Sequence, residues 1–394
     1  MAKKATTTAG GVGKRPGRVI DMTDEVVAAP IPVPIPVPLE SIVGQQWAVG
    51  LLHDAMRSAR MHHAWIFHGP SGVGKFTTAV AFAAVLLDPT SEPGLDGVIA
   101  PDPESRTQQL LKAGTHPDLH IVVKELARFH DDPEVRKLRL SSIPIDVVRK
   151  YLIEPAKKTG NVTTSSRASA VFVIDEAELL SSKSTKDAAQ NAILKTLEEP
   201  PPGMVIILVT SNESELLPTI RSRCQRVPFA QLSEKDLRQW ASREKLEIPA
   251  DCKDFLFAFS DGSPGDLVEA IRGEIGSWRT ALLPHLIKLQ SGKHTVGAAP
   301  LMEDLCKKWA EDWVDENLNA SKETANRLAA AWMIRLIAFE MRKALRAGTP
   351  GALEAIDAVR AAESQLDSNL KPLFVLDAMC VEIAHTFATA KYQG

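Results

Sequence analysis

Apolar and polar positions follow one pattern up to about residue 229 and another beyond it. In the first part, continuous apolar runs typical of strands buried on both faces occur at 64–67, 119–123, 168–174 and 204–209. Between them, apolar residues at helical spacing predict helices at 45–60, 75–87, 145–152 and 186–197. The segment 89–106 is rich in Pro, Gly, Asp and Ser and predicts a loop. This alternation predicts an α/β domain with a mostly parallel sheet at 39–229.

Beyond Phe229 the apolar positions recur only at helical spacing. Short helices are predicted at 233–243, 253–260 and 265–273, and a longer one at 325–345. We therefore predict a small helical lid at 230–275 and an all-helical domain at 276–394.

The first 38 residues predict a disordered, proline-rich tail. Prolines alternate with apolar residues between 29 and 38, which forbids a helix and favours extended polyproline geometry. The composition favours a stiff linker, and a peptide ligand for a partner protein is the alternative.

Composition narrows the class of protein. The chain has 394 residues, of which 44% are hydrophobic and 24% charged, as expected of a soluble globular protein. A net charge of −3 argues against a protein that coats nucleic acid by itself. We see no apolar run near the roughly 20 residues of a membrane span and no secretory signal, so we expect a cytoplasmic protein without membrane contact. The four cysteines form no C-x-x-C pair, which predicts free thiols and no zinc.

The segment 69–77, GPSGVGKFT, is the strongest chemical motif. It fits the phosphate-loop pattern G-x-x-x-x-G-K-[ST] up to its last position, and it lies between a predicted strand and a predicted helix. Phe76 stands where a magnesium-binding hydroxyl is expected. Thr77 is a poor replacement, because one step along a helix turns the side chain by about 100°. The candidate residues for binding ATP phosphates are Gly69, Ser71, Gly72, Val73, Gly74, Lys75, Phe76 and Thr77.

A second nucleotide motif ends the predicted strand at 168–174. Asp175 and Glu176 follow this apolar run, at the sheet edge that also carries the phosphate loop. Asp175 is the candidate Mg²⁺ ligand, and Glu176 is the candidate to polarise an attacking water. An acidic strand end that caps the next helix is the alternative interpretation.

Two further motifs are ambiguous from the residues alone. Ser211 and Asn212 end a buried strand, where a polar side chain can contact a terminal phosphate, but an ordinary turn has the same composition. Arg221, Arg223 and Arg226 lie close together around a Ser-Arg-Cys triplet. An arginine here can act on a neighbouring subunit's nucleotide, although a solvated basic turn is the simpler interpretation of the residues by themselves.

These motifs together resemble a bacterial clamp-loader subunit of the AAA+ superfamily, from the DNA polymerase III group. The resemblance rests on IVGQ at 42–45, the phosphate loop, Asp175-Glu176, NAILKTLEEPP at 191–201 and SRC at 222–224. It covers about 39–275 strongly. Beyond that it rests on helical character and on a segment at 369–384 that suits a collar helix.

Two subunit types of this family are candidates for this chain: the ATP-hydrolysing gamma/tau subunit and the delta-prime subunit. GTHPDL at 114–119 resembles the G-x-H-P-D segment typical of delta-prime. In gamma/tau, the position of Gly265 carries an arginine that contacts nucleotide, whereas delta-prime has glycine, as here. The segment 88–113 lacks the zinc-binding cysteines usual in both relatives.

The resemblance to delta-prime implies a role within a heteropentameric ring. Such subunits assemble with gamma/tau and delta subunits through a helical collar, and the ring closes a sliding clamp around primed DNA. Arg223 would serve as an arginine finger at the ATP site of the adjacent subunit. The resemblance implies that the chain itself would bind ATP and Mg²⁺ but would hydrolyse ATP weakly or not at all. An active gamma/tau-like ATPase is the alternative.

Overall fold

The computed structural model describes residues 34–58, 61–94, 97–138, 140, 142–158, 166–181, 187–316, 322–366 and 371–393. Most of the predicted tail, residues 1–33, therefore lies outside the described residues. Strands are β1 Ala64–His68, β2 Glu92–Pro93, β3 Ile99–Ala100, β4 Leu119–Val122, β5 Ala170–Ile174, β6 Met204–Thr210 and β7 Gln225–Pro228.

The helices of the α/β part are α1 Gln46–Arg57, α2 Lys75–Leu87, α3 Arg106–Lys112, α4 Pro133–Arg136, α5 Ile145–Val148, α6 Glu154–Lys158, α7 Ala188–Glu198 and α8 Pro218–Arg221. A π-helical turn at Arg149–Ile153 joins α5 to α6. The helices that follow the last strand of the sheet are α9 Glu234–Arg243, α10 Lys253–Phe259, α11 Pro264–Arg272, α12 Ile275–Gln290, α13 Ala298–Glu316, α14 Lys322–Arg346, α15 Ala352–Leu366 and α16 Pro372–Gln393.

Five strands form one parallel sheet in the order β4-β5-β6-β1-β7. All residues of β5 and β6 are buried, because helices cover both faces. On β5, Val173 belongs to the same core as Phe82 of α2, whereas Phe172 belongs to a second core that also contains Ile193 of α7. The predicted fold class, a parallel α/β domain followed by helices, is confirmed. The domain boundaries stay predictions.

Two details differ from the sequence-based expectation. The predicted loop at 89–106 contains the antiparallel hairpin of β2 and β3, two residues on each side, and its last residue begins α3. The edge strand β7 was not predicted, because Gln225 and Arg226 break any apolar run. It pairs with β1 along one side only, which allows polar side chains.

Helices α10 and α11 of the predicted lid contact α14 of the C-terminal helical region. Phe255 and Phe259 of α10 contact Phe339, and Phe259 also contacts Trp332. An ion pair of 2.7 Å joins Arg335 of α14 to Asp266 of α11. The lid therefore has apolar and charged contacts with the helical domain behind it.

The last helix corrects the expectation that no apolar run nears the length of a membrane span. Residues Pro372–Lys391 have a mean hydropathy of 1.5 and are long and apolar enough to cross a membrane by length and composition alone. This is weak evidence for a span, because core helices of soluble proteins meet the same criterion. Leu376 and Ile383 of this helix are fully buried in the helical domain.

Candidate nucleotide-binding site

A cleft of about 740 Å³ lies between the carboxyl edge of the sheet and the lid. Its lining includes residues 71–77 of the phosphate loop, Asp175 and Glu176 after β5, Ser211 after β6, and residues 264–266 of the lid. These segments meet because β5, β6 and β1 are neighbours in a parallel sheet, so that their carboxyl ends share one edge. The sheet order thus brings most of the sequence-predicted residues together.

The phosphate loop adopts backbone angles that favour glycine. Gly72 and Gly74 have φ values of 71° and 97°. Lys75 begins α2, and its Nζ donates hydrogen bonds to the carbonyl oxygens of Gly69 at 2.8 Å and Pro70 at 2.5 Å. Burial lowers the pKa of Lys75, and the nearby carboxylates of Glu178 and Asp175 oppose this shift. A bound phosphate would take over from these two carbonyl oxygens as the partner of the ammonium group.

Phe76 is half-buried, packs against the core and lines the cleft without supplying an oxygen. Thr77 also lines the cleft. The described residues contain no group of three His, Cys, Asp or Glu side chains that could hold a metal ion. A magnesium ion in this cleft would have Asp175 as its predicted protein ligand, with nucleotide phosphates and water completing its shell. The hydroxyl that a phosphate loop usually adds is missing, because Phe76 stands at that position.

Asp175 and Glu176 differ in environment although they are adjacent. Burial raises the pKa of Asp175 to about 6, and the neighbouring Glu176 and Glu178 carboxylates add to the shift. Glu176 has a φ of 47°, which is uncommon for a residue with a side chain. Its Oε2 lies 2.6 Å from Nζ of Lys124, which follows the neighbouring strand β4. This ion pair engages one of the two carboxylate oxygens of Glu176.

The two polar residues after β6 have separate partners. Ser211 donates to Oε1 of Glu178 through both its hydroxyl and, at 3.2 Å, its backbone N–H. Asn212 is not among the cleft-lining residues, and its Oδ1 accepts from the backbone N–H of Ser214 at 3.2 Å. Thr210 lines the cleft instead. In this arrangement the hydroxyl of Ser211 is already committed to a carboxylate of its own chain.

Several lining residues were not found from the sequence. Glu178 follows the Asp175-Glu176 pair by two residues, and this acid was the available signal. Trp240 and Arg243 come from the lid helix α9. They are distant from every motif in sequence, so that only the packing of the lid identifies them.

Arg223 lies outside the lining of this cleft. Its Nη2 lies 2.7 Å from Oε1 of Glu198, and its Nη1 donates to the carbonyl oxygen of Thr219 at 2.8 Å. About a third of its side chain is exposed, at 36%. Arg226 instead pairs with Glu213. Cys224 packs against the core, and burial raises the pKa of its thiol to about 12, which fits an unreactive thiol.

Comparisons with known proteins agree with this architecture. Residues 44–233 match the model of a family described as "DNA polymerase III, delta subunit". DNA polymerase III subunit delta' of Pseudomonas aeruginosa is 29% identical over 68% of this chain and 75% of its own length. The delta' subunit of Escherichia coli is 30% identical over 55% of this chain and 57% of its own length. Subunit tau of Bacillus subtilis is 26% identical over 80% of this chain, a match that spans about half of tau, 51%.

Among solved structures, a DNA polymerase III gamma subunit-related protein of Thermotoga maritima aligns with 86% of this chain and 99% of its own, at 14% identity and a TM-score of 0.44. These comparisons support a clamp-loader subunit of the AAA+ class. Among the subunits of that family it is most like delta-prime, and the gamma/tau relatives are no better match. Resemblance to this family implies nucleotide binding.

Proposed function

We propose that this chain works in the cytoplasm as the delta-prime-like subunit of a DNA polymerase III clamp loader. In this role it assembles with gamma/tau and delta subunits through its C-terminal helices. The assembled ring opens a sliding clamp and closes it around primed DNA. The proposal is supported by the delta-prime relatives and by the S-R-C motif, whose arginine lies outside the chain's own cleft lining.

The position of Arg223 is the observation that carries the proposed mechanism. A guanidinium group is always charged and offers a planar fork of donors suited to phosphate oxygens. Because Arg223 is partly exposed and lies outside the lining of its own cleft, we infer that it acts in trans. Its target would be the γ-phosphate bound by the adjacent gamma/tau subunit, where it would stabilise charge in the transition state.

The chain's own cleft would support weak hydrolysis at most. Phe76 supplies no metal-binding hydroxyl, Glu176 is paired with Lys124, and Gly265 brings no side chain to the lid side of the cleft. The alternative, an active gamma/tau-like ATPase, is favoured by the intact Gly74-Lys75 and Asp175-Glu176 pairs. Steady-state ATP hydrolysis by the purified chain distinguishes the delta-prime-like subunit from the gamma/tau-like ATPase, because fast turnover is expected only of the latter.

Co-expression with untagged gamma/tau and delta subunits from the same organism is the experiment that tests the role. We expect a stable complex that loads the sliding clamp onto primed DNA only when this chain is present. A chain that neither co-purifies with the two subunits nor is needed for loading would contradict the proposal.

A further inference from the structure

The proline-rich tail joins the described structure at the rim of the nucleotide cleft. Val37 lines the cleft and packs against the core, and Leu39 is buried two residues later. The carbonyl oxygen of Pro38 accepts hydrogen bonds from the backbone N–H of Ser41 at 2.9 Å and from its hydroxyl at 2.7 Å. These contacts hold the end of the tail in place, so that residues 1–33 are tethered within a few residues of the cleft.

The tail carries its positive charge in its first half. Residues 1–18 contain five cations and no carboxylate, whereas three carboxylates lie between positions 21 and 25. Three of the five cations are grouped in the segment 14–18, KRPGR, which we call the basic segment. Its Pro-Gly pair is typical of a turn. The sequence therefore places a compact group of cations on a chain that is anchored beside the cleft.

The connection is long enough to return the basic segment to the cleft. Residues 19–33 join it to Pro34, the first residue that the structure describes. An extended chain of this length spans up to about 50 Å, several times the width of a cleft of about 740 Å³. A ligand tethered by a short flexible connection has an effective concentration of about 1 mM. Even a weak attraction therefore populates a docked state.

The lining of the cleft has more carboxylates than cations. In the described part of the chain, the ion pairs that engage lining carboxylates are those of Glu176 with Lys124, Glu244 with Arg243, and Asp266 with Arg335. The lining carboxylates outside these pairs are Asp175, Glu178 and Glu269. Among the described lining residues, Lys75 is the cation that remains to balance them. Three carboxylates against one cation leave an excess of negative charge, which attracts a cationic ligand.

A nucleotide and the basic segment would use the same space. The phosphates would lie against the loop amides and Lys75, and a magnesium ion would take Asp175 as its predicted protein ligand. The cations of the basic segment reach the lining carboxylates only while this space is open. Occupation of the cleft by one of the two therefore excludes the other.

We propose that the basic segment docks in the nucleotide cleft of its own chain when the cleft holds no nucleotide, and that binding of Mg²⁺ and ATP displaces it. The attachment of the tail at Val37, the length of the connection and the excess of lining carboxylates carry the proposal. It goes beyond the clamp-loader role, which assigns no part to the tail. The proline-rich run then serves as the tether between the cleft rim and the basic segment.

Carbodiimide crosslinking of the full chain, followed by peptide mass spectrometry, tests the docking directly. The reagent joins a lysine amine to a carboxylate only where the two groups touch, and Lys14 is the lysine of the basic segment. We expect crosslinks from Lys14 to lining carboxylates such as Glu178 or Glu269, and we expect Mg²⁺ and ATP to remove them. If Lys14 forms no crosslink to the lining, or if ATP leaves the crosslinks unchanged, the proposal is wrong.

A mixture of isotope-labelled and unlabelled chains shows whether the docking is within one chain. Crosslinks within one chain join peptides of the same label, as we expect. Crosslinks that join a labelled to an unlabelled peptide would assign the basic segment to the cleft of a second copy, and would overturn the proposal. The yield should also fall at about 1 M salt, where charges farther apart than about 3 Å are screened.

Two charge reversals form a matched pair that tests the cause. Lys14→Glu combined with Arg15→Glu reverses the basic segment, whereas Lys3→Glu combined with Lys4→Glu changes the net charge equally elsewhere in the tail. If the basic segment fills the cleft about nine-tenths of the time, the apparent affinity for ATP is reduced about tenfold. We therefore expect the first double variant to bind ATP with Mg²⁺ up to about tenfold more tightly than the unaltered chain, and the second to stay within about twofold.

Equal ATP affinities in the unaltered chain and in both double variants would contradict the displacement, as would a chain that binds no ATP. A nucleic acid is the other partner that clustered cations suit. If reversal of the basic segment weakens binding of single-stranded DNA by the full chain, and the unaltered chain gives no crosslink from Lys14 to the lining, the segment binds nucleic acid and the proposal is wrong. The clamp-loader role would survive each of these results, because assembly and clamp loading are measured separately.

Discussion

Arg223 and Glu198 form an ion pair, with 2.7 Å between Nη2 and Oε1. Glu198 ends α7 within the LEEPP run, and Arg223 belongs to the S-R-C motif. Two motifs that carry the family resemblance therefore meet in space. Because the side chains are 36% and 48% exposed, the pair is expected to be weak. In the proposed trans role, a phosphate bound by a neighbouring subunit would compete with Glu198 for the guanidinium group.

We predict that Arg223→Ala leaves assembly intact and lowers DNA-stimulated ATP hydrolysis and clamp loading by the reconstituted complex. A finger acting alone is worth about 10³–10⁵ in rate. The loss in the complex should be smaller, because other subunits of the ring keep their own arginines. Arg223→Lys should rescue poorly, since a single ammonium group cannot reproduce the planar fork.

Arg226→Ala is the matched control for Arg223→Ala. Arg226 lies in the same segment, is 54% exposed and also pairs with a glutamate, Glu213. We expect it to have little effect on clamp loading. If Arg223→Ala and Arg226→Ala behave alike, Arg223 is a solvated basic residue and the trans role is wrong.

We predict that Phe76→Thr strengthens Mg²⁺-dependent nucleotide binding, because it restores a hydroxyl at the metal-binding position of the loop. Hydrolysis should stay below about 1 s⁻¹, the lower end of ordinary enzymes. Gly265 still adds no side chain, and Glu176 still pairs with Lys124. Titration with ATP in the presence and absence of Mg²⁺, together with a steady-state assay, provides the measurement.

Phe76→Ala separates the hydroxyl from the loss of the ring. It also removes the aromatic side chain from the cleft lining but adds no oxygen. If both variants gain the same affinity with Mg²⁺, the effect comes from added space and the metal argument fails.

We predict that the exposed apolar side chains of α16 are needed for assembly. Phe374 and Val381 are 67% and 46% exposed and lie seven positions apart, hence on one helix face. Phe374→Glu combined with Val381→Glu should prevent co-purification with gamma/tau and delta subunits. A charge buried in an apolar helix interface is costly. Gel filtration of the mixture measures the loss.

Leu138→Glu is the control, because Leu138 is 45% exposed but belongs to the α/β domain. It should leave the complex intact. Substitutions are preferable to deleting residues 276–394, since deletion would uncover Phe255 and Phe259 of the lid. A double α16 variant that still enters the ring would refute the collar assignment.

We predict that Asp175→Asn stabilises the fold at neutral pH. Burial raises the pKa of Asp175 to about 6, whereas an unfolded aspartate titrates near about 3.9. Between these values the folded state binds more protons, so the free energy of unfolding falls as pH rises through the window. Above pH 6 the ionised Asp175 lowers the free energy of unfolding by its full amount, at most on the order of 3 kcal/mol.

Urea unfolding at neutral pH and below about pH 4 measures this effect. The stability gained by Asp175→Asn should shrink at the lower pH, because Asp175 then becomes protonated in the unfolded as well as the folded chain. Asp312→Asn, at an exposed position, should change the free energy of unfolding by within about 0.5 kcal/mol. A gain that does not depend on pH would mean that the carboxylate charge is not its cause.

The sequence by itself determined the features that depend on neighbours along the chain. The phosphate loop and the helix after it were predicted at the residues where they are found, with α2 at Lys75–Leu87. The runs that became β5 and β6 were recognisable because a strand buried on both faces needs apolar residues at every position. The S-R-C motif was recognisable because its three residues are contiguous in the sequence.

Only the tertiary structure decided which of these residues meet. The order of the strands brings Lys124 after β4 to Glu176 after β5, and the packing of the lid brings Gly265 to Gly72. No periodicity in the sequence encodes these contacts, because each joins segments that are distant along the chain. Each contact depends on how the elements pack around the two cores, and that packing is a property of the whole fold.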